Sequence, residues 1–269
     1  MIDLEGLTES IKEVALDAGH FINEKRKSFQ KKSVQEKRSH DYVSYVDKES
    51  ERLIVERLSS ILPEAGFIAE EGHGDFKNQD YCWLVDPLDG TTNFIHNQAP
   101  YCVSIALRDS KEIIIGVVYE MCRNELFWTY KGSPAFCNGE VLHVSDVSDY
   151  DATFLEIGLP YDATKYKTTA LALMDELYGN IGGIRIIGAC AAELCYIACG
   201  RFEGRIEANL GPWDVAAGSL ILQQAGGKVT DFSGGDDFYS GNELVASNGK
   251  MHEFMLKSIK DSTHKRNNL

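Results

Sequence analysis

The sequence predicts a layered α/β fold of the α+β kind, and three observations carry the prediction. Between Cys102 and Val144, apolar and β-branched runs recur at strand length, as in an antiparallel sheet. Beyond Asp151, strand-like runs alternate with helical ones. The opening stretch carries an apolar stripe at helical spacing.

That stripe is Leu7, Ile11, Val14, Ala15, Ala18, Phe21 and Ile22, which predicts an amphipathic helix packed on a larger body. Lys25 to Arg38 is rich in basic residues and reads as an exposed connection. A second helix is expected after Asp47, with Leu53, Ile54, Leu58, Ile61 and Leu62 on one face, and it stops before Pro63. Asp47 then stands at a helix start, where capping is its plainest role. Phe67-Ile68-Ala69 is a short strand running into Glu70-Glu71 and the flexible Gly72-His73-Gly74, and Tyr81 to Val85 is a buried strand.

Four further strands are expected at Cys102 to Leu107, Ile113 to Tyr119, Leu126 to Tyr130 and Val141 to Val144. Asn138-Gly139 signals a hairpin turn, and Gly116 a bulge. In the second half, strands at Phe154 to Ile157, Ile184 to Ile187 and Phe202 to Ala208 alternate with helices near Lys165 to Tyr178, Ala189 to Cys199 and Trp213 to Gln224. Lys228 to Phe232 and Leu244 to Ala246 are late strands, Met251 to Ile259 a last helix, and the polar tail from Asp261 is expected to fray. No linker rich in Pro, Gly or Ser divides the chain. One layered domain over 1–269 is therefore expected, built of halves at about 1–150 and 151–269.

Charge narrows the functions. With 27 basic against 41 acidic residues the net charge is −14, which argues against nucleic acid or an anionic membrane as the main partner and suits a cation binder. Seven cysteines without regular pairing, behind a start with no basic-then-apolar leader, point to the reducing cytoplasm. No apolar run approaches the roughly 20 residues of a membrane helix. Cys190, Cys195 and Cys199 lie close together but lack a matching histidine pair, so they read as small core residues.

The chemistry gathers at Asp86-Pro87-Leu88-Asp89-Gly90-Thr91-Thr92-Asn93-Phe94. Two carboxylates sit where a strand ends; Pro87 turns the chain, Gly90 allows close approach, and Thr91, Thr92 and Asn93 suit a helix start. Asp86, Asp89 and the Leu88 carbonyl offer hard oxygens to a cation, while the amides after Gly90 point at the anion it holds. A phosphate bridged to magnesium satisfies both halves. Read alone, Asp-Pro and Asp-Gly are also ordinary turn dipeptides, and Asp214 in Trp213-Asp214-Val215-Ala216-Ala217-Gly218 is an ordinary helix cap.

Together, Glu70-Glu71, the Asp86 to Phe94 segment and the Trp213 to Gly218 segment resemble, in order and spacing, the signatures of the inositol monophosphatase family of magnesium-dependent, lithium-sensitive sugar-phosphate phosphatases. The resemblance implies an α-β-α-β-α sandwich of the inositol monophosphatase/fructose-1,6-bisphosphatase type, and a homodimer. It makes Glu70, Asp86 and the Leu88 carbonyl ligands of one magnesium and Asp86, Asp89 and Asp214 ligands of a second, with a third ion placed through water by Glu70. Asp47 and Thr91 become the pair that orients and relays protons around the attacking water, with Glu70 assisting. Gly90 and Thr91 amides take the phosphate oxygens. Around the substrate the resemblance also puts Ala189, Glu207 and Asp214: Glu207 stands where inositol-using members accept hydrogen bonds from ring hydroxyls. In Gly188-Ala189-Cys190-Ala191, Ala189 lacks the hydroxyl usual for the family, and Lys37 is one place out of register with its basic residue.

Such a site fits the reaction, because a phosphate monoester is a dianion that repels hydroxide and its uncatalysed hydrolysis is among the slowest known. Two metal ions about 3.5 to 4 Å apart neutralise that charge and clamp the attacking and leaving oxygens in line. The expected substrate is myo-inositol monophosphate or a related polyol or sugar monophosphate. The alternatives are 3'-phosphoadenosine 5'-phosphate, fructose 1,6-bisphosphate or histidinol phosphate, or a regulatory or RNA-polymerase-associated binding protein that keeps the fold without the catalysis.

Overall fold

A computed structural model describes residues 2–30, 34–38, 41–73, 80–160, 163–239 and 242–267. The first helix, α1 (Leu4–Ser28), is capped by Asp3, whose carboxylate accepts the Gly6 N–H at 3.1 Å. Lys25, Arg26 and Lys27 form its last turn, where cations suit the helix dipole. The basic stretch thus begins as a helix end rather than a connection, and continues into a hairpin of β1 (Gln35–Arg38) and β2 (Asp41–Val43). The Lys37 side chain and Gly74 lie outside the described residues. In α2 (Tyr45–Ile61), Ser44 and not Asp47 is the N-cap; Asp47 falls at the third helical position and completes a capping box with Ser44.

The larger sheet runs in the order β3 (Gly66–Ala69), β4 (Cys82–Asp89), β5 (Cys102–Arg108), β6 (Ile113–Glu120), β7 (Glu125–Tyr130), β8 (Phe136–Cys137) and β9 (Glu140–Val141). Only β3 and β4 are parallel. The short helix α3 (Thr91–His96) connects β4 to β5. Gly116 makes no bulge: it pairs in register with Ala106 and Thr129, and the irregularity in β6 lies beside Ile113. Its glycine is needed for packing, since a Cβ there would meet the Ala217 carbonyl oxygen at 2.7 Å.

The smaller sheet orders its strands β11 (Gly183–Arg185), β10 (Phe154–Ile157), β12 (Gly204–Ala208), β14 (Glu243–Ser247) and β13 (Lys228–Thr230). Its helices are α4 (Ala163–Leu177), α5 (Cys190–Ala198), α6 (Pro212–Gln224) and α7 (His252–Asn267). The last continues well past Ile259, so the tail extends a helix instead of fraying at Asp261.

Five layers result: α1 and α2, the larger sheet, α5 and α6, the smaller sheet, then α4 and α7. The central pair touches both sheets, which explains its sequence. Residues 215–222 of α6 are buried all round, without the one-sided stripe of a surface helix. By contrast α1 buries Ile11, Val14, Ala15, Ala18 and Ile22 on one face, against Val103, Ile105 and Val117 of the sheet. Among the described residues, no helix is long and apolar enough to cross a membrane.

One buried histidine gives the outer layer a pH dependence. His252 is fully buried at the start of α7, its ring nitrogens 2.9 Å from the Thr230 and Ser247 hydroxyls. Burial, reinforced by Lys228 and only partly opposed by Glu253, lowers its pKa from 6.5 to about 4. The unfolded chain binds the proton first, so stability present above pH 6.5 is lost as the pH falls towards 4. Relative to wild type, His252→Gln should weaken this acid loss by about 2 kcal/mol, read from melting curves at pH 7 and pH 4.5.

Candidate active site

The acidic loop is shaped by a bulge. Strand β4 does not end at Val85; it runs to Asp89 and keeps pairing with β5, Asp86 lying opposite Ser104 and Asp89 opposite Cys102. Three steps on β4 thus match two on β5, which is one extra residue, and Pro87, unable to donate to a ladder, falls within it. In a regular strand residues 86 and 89 would face opposite sides. The extra residue restores the phase, and both carboxylates lie opposite residues that share one face of β5.

Each carboxylate is held by nearby donors. Asp86 accepts the Leu88 N–H at 3.0 Å. Asp89 accepts the Cys190 and Ala191 N–H groups at 3.1 and 2.8 Å, the first amides of α5, and the Cys102 thiol at 3.3 Å. Asp214 accepts the Gly211 N–H at 2.7 Å; Pro212 opens α6, so Asp214 is its third residue and Gly211 its N-cap. Asp47 accepts the Ser44 N–H and hydroxyl at 2.9 and 2.6 Å, and the Thr91 hydroxyl at 2.9 Å. Thr91 Oγ1 also lies 3.0 Å from the Leu88 carbonyl oxygen.

Electrostatics shows which acids converge. Burial first, then the charges of Glu70, Asp89 and Asp214, push the Asp86 pKa well above the usual carboxylate range. Burial, Glu70 and Asp89 do the same to Asp214, with a smaller push from Glu207. Asp89 is raised by burial against the pull of the Ala191 amide and Cys102. Asp47 is raised by burial, although Ser44 and Thr91 favour its charged form. Residues 70, 86, 89 and 214, far apart along the chain, therefore act on one another in one place. As they stand, with carboxylates turned to the local amides, no three described acidic, histidine or cysteine side chains are grouped as a metal-ion nest.

The neighbouring residues complete the geometry. Gly90 has φ 84°, and a Cβ there would lie 2.9 Å from the Pro100 carbonyl oxygen and 3.1 Å from the Ala189 methyl. Ala189 is thus brought beside Gly90 but is itself fully buried. Glu207 sits on β12 with its side chain 14% exposed, paired with Arg205.

Two positioning roles were not foreseen, those of Glu51 and Asn93. Glu51, fully buried on α2, accepts the Glu71 and His73 N–H groups at 2.7 and 2.8 Å and lies 2.7 Å from His73 Nδ1, which pins the loop that carries Glu70. Its signal was available: it stands four residues after Asp47, on the same helix face. Asn93 Nδ2 donates to the Pro100 and Ile187 carbonyls at 2.9 and 3.0 Å, tying α3 to the turn before α5.

A layered α-β-α-β-α protein with a buried acidic centre between its larger sheet and its middle helices is the class this geometry defines. Residues 3–264 match the profile of the Inositol monophosphatase family, and the chain belongs to that family. It is 38% identical to the Nus factor SuhB of Escherichia coli K12, over 92% of this chain and 93% of the relative. It is 35% identical to an inositol-1-monophosphatase of Mesorhizobium japonicum, over 92% and 94%. The solved structure of the extragenic suppressor protein suhB from Bartonella henselae superposes with a TM-score of 0.89 at 34% identity, covering 95% of this chain and 98% of that one. The expected sandwich is the observed fold, and family membership supports a phosphatase.

Proposed function

We propose that the protein hydrolyses a phosphate monoester of a polyol or sugar, with myo-inositol monophosphate the leading candidate, by magnesium-dependent attack of water. The single observation that best supports this is that the charges of Glu70, Asp89 and Asp214 act on buried Asp86, and those of Glu70 and Asp89 on half-buried Asp214. Crowded acids that repel one another need cations, and an all-oxygen set suits magnesium. Two or three bound ions would neutralise the phosphate dianion and favour ionised water near neutral pH.

In this reading Glu70, Asp86 and the Leu88 carbonyl hold one ion, and Asp86, Asp89 and Asp214 the next. The Leu88 oxygen keeps a lone pair for this beyond the one facing Thr91. Thr91 donates its hydroxyl proton to Asp47, so its oxygen is left to accept from the attacking water, with Glu70 assisting. Amides of Gly90 and Thr91 receive the phosphate. Glu207 accepts hydrogen bonds from substrate hydroxyls, beside Asp214, while Ala189 supplies shape.

A phosphate-release panel with magnesium, spanning inositol, sugar, nucleotide and histidinol phosphates and fructose 1,6-bisphosphate, tests the assignment. Inositol or sugar monophosphates are expected to lead it, and Glu207→Ala to raise their KM about tenfold. A bisphosphate or nucleotide at the head of the panel would replace the polyol assignment. The Escherichia coli relative, 38% identical, is named a Nus factor, and that name supports, as a second reading, a regulatory binding protein that keeps the fold. Absence of phosphate release across the whole panel would select it.

The homodimer takes support from the outer edge of the smaller sheet. There Tyr178 and Ile186 are more than half exposed and line a groove of about 520 Å³ together with Met174 and Asp175 of α4 and Ile184 and Arg185 of edge strand β11. Light scattering should return twice the 29.9 kDa chain mass, and Tyr178→Glu should shift it towards the monomer.

A further inference from the structure

Three glutamates surround one buried arginine behind the substrate face. Arg205 and Glu207 alternate on β12 and so share a face; Glu156 lies opposite Arg205 on β10, and Glu193 reaches in from α5. The Arg205 guanidinium pairs with Glu207 through one terminal nitrogen and with Glu193 through the other, and stands 3.8 Å from Glu156. Arg205, Glu156 and Glu193 are each no more than 1% exposed, whereas the Glu207 side chain keeps 14%. Burial, partly opposed by Arg205, raises the Glu156 pKa to about 8.

The far side of the network reaches the turn before α5. Glu193 Oε1 accepts the Gly188 N–H at 3.0 Å, and two residues further on the amides of Cys190 and Ala191 hold Asp89. Asn93 reaches the same turn through the Ile187 carbonyl. One guanidinium therefore ties the carboxylate that faces the substrate to the turn that seats a carboxylate of the acidic centre.

We propose that Arg205 is a positioning residue that sets substrate selectivity, holding Glu207 in the orientation that accepts polyol hydroxyls and locking it, through Glu193, to the turn at Gly188. The planar fork suits this task. It occupies one oxygen of Glu207 from behind and leaves the other oxygen's lone pairs for the substrate. Lysine, a point charge on a flexible stem, would neutralise Glu207 without fixing its plane. The proposal rests on the polyol reading given above.

The test compares myo-inositol monophosphate with p-nitrophenyl phosphate, a monoester without hydroxyls, at saturating magnesium. In Arg205→Lys the ratio of kcat/KM for the inositol ester to that for the nitrophenyl ester is expected to fall about tenfold, with the loss in KM rather than kcat. Arg205→Met combined with Glu193→Gln removes one charge of each sign, which keeps the buried balance, and should give the same direction and a larger fall. In a Glu207→Gln background, Arg205→Lys should change the ratio less than twofold, because the arginine acts through that carboxylate.

An equal loss on both esters, or additive effects of the two substitutions, would show a merely structural role and overturn the proposal. Wild-type protein that cleaves the nitrophenyl ester but not the inositol ester would overturn the polyol reading and this proposal together. Wild-type activity on the inositol ester with an unaltered ratio in Arg205→Lys would overturn this proposal alone.

Discussion

Asp214→Asn is expected to lower phosphate release about a thousandfold while leaving the fold intact. The side chain accepts the Gly211 N–H at 2.7 Å, and an asparagine oxygen can accept that same bond, so the start of α6 is preserved. What disappears is a negative charge that Glu70 and Asp89 both oppose. With magnesium bound, that charge is an asset worth several kcal/mol, which converts to about three orders of magnitude in rate. Without magnesium it is a burden: a carboxyl whose folded pKa is raised stabilises the fold fully only below its ordinary value of 3.8, and the benefit is lost as the pH rises through the raised value. Metal-free Asp214→Asn should therefore melt no lower than metal-free wild type at pH 7. Activity within tenfold of wild type would remove Asp214 from the centre.

Chelation is the second large effect. Excess chelator should abolish phosphate release, and magnesium should restore it. The same additions should move the melting temperature, because the buried acids repel one another until cations separate their charges. An ion at one hundred times its dissociation constant contributes about 2.7 kcal/mol. For a chain of this size that corresponds to a rise of roughly 5 °C. The shift should shrink in Asp214→Asn, which keeps the ligands of only one ion intact, and a chelator-resistant activity would remove the metal-dependent reaction altogether.

That these acids come together was legible in the segments that carry them: Glu70 after a strand, Asp86 and Asp89 around Pro87, Asp214 opening a helix. The way they are brought together was not. A turn after Asp86 was the natural reading of Asp-Pro, yet the chain keeps its ladder with β5 and solves the phase problem with an extra residue, a pairing property that one strand cannot reveal. Gly116 carried the usual mark of a bulge, but its reason lies on α6, a hundred residues away, at the Ala217 carbonyl. Arg205 was hidden for a similar cause. In the sequence it reads as an ordinary charged strand residue, and only the fold brings Glu156 and Glu193 to it. Glu193 did leave a trace, as a lone charge within an otherwise apolar helical run.

The middle pair of helices has one more implication, for the history of such a chain. Wrapped on both sides, α5 and α6 have almost no outer skin on which neutral change can accumulate, and both carry groups of the acidic centre. Drift is left to the flanking helices and the rims. A lineage of this protein can thus vary its outer edge while its central pair of helices stays nearly frozen.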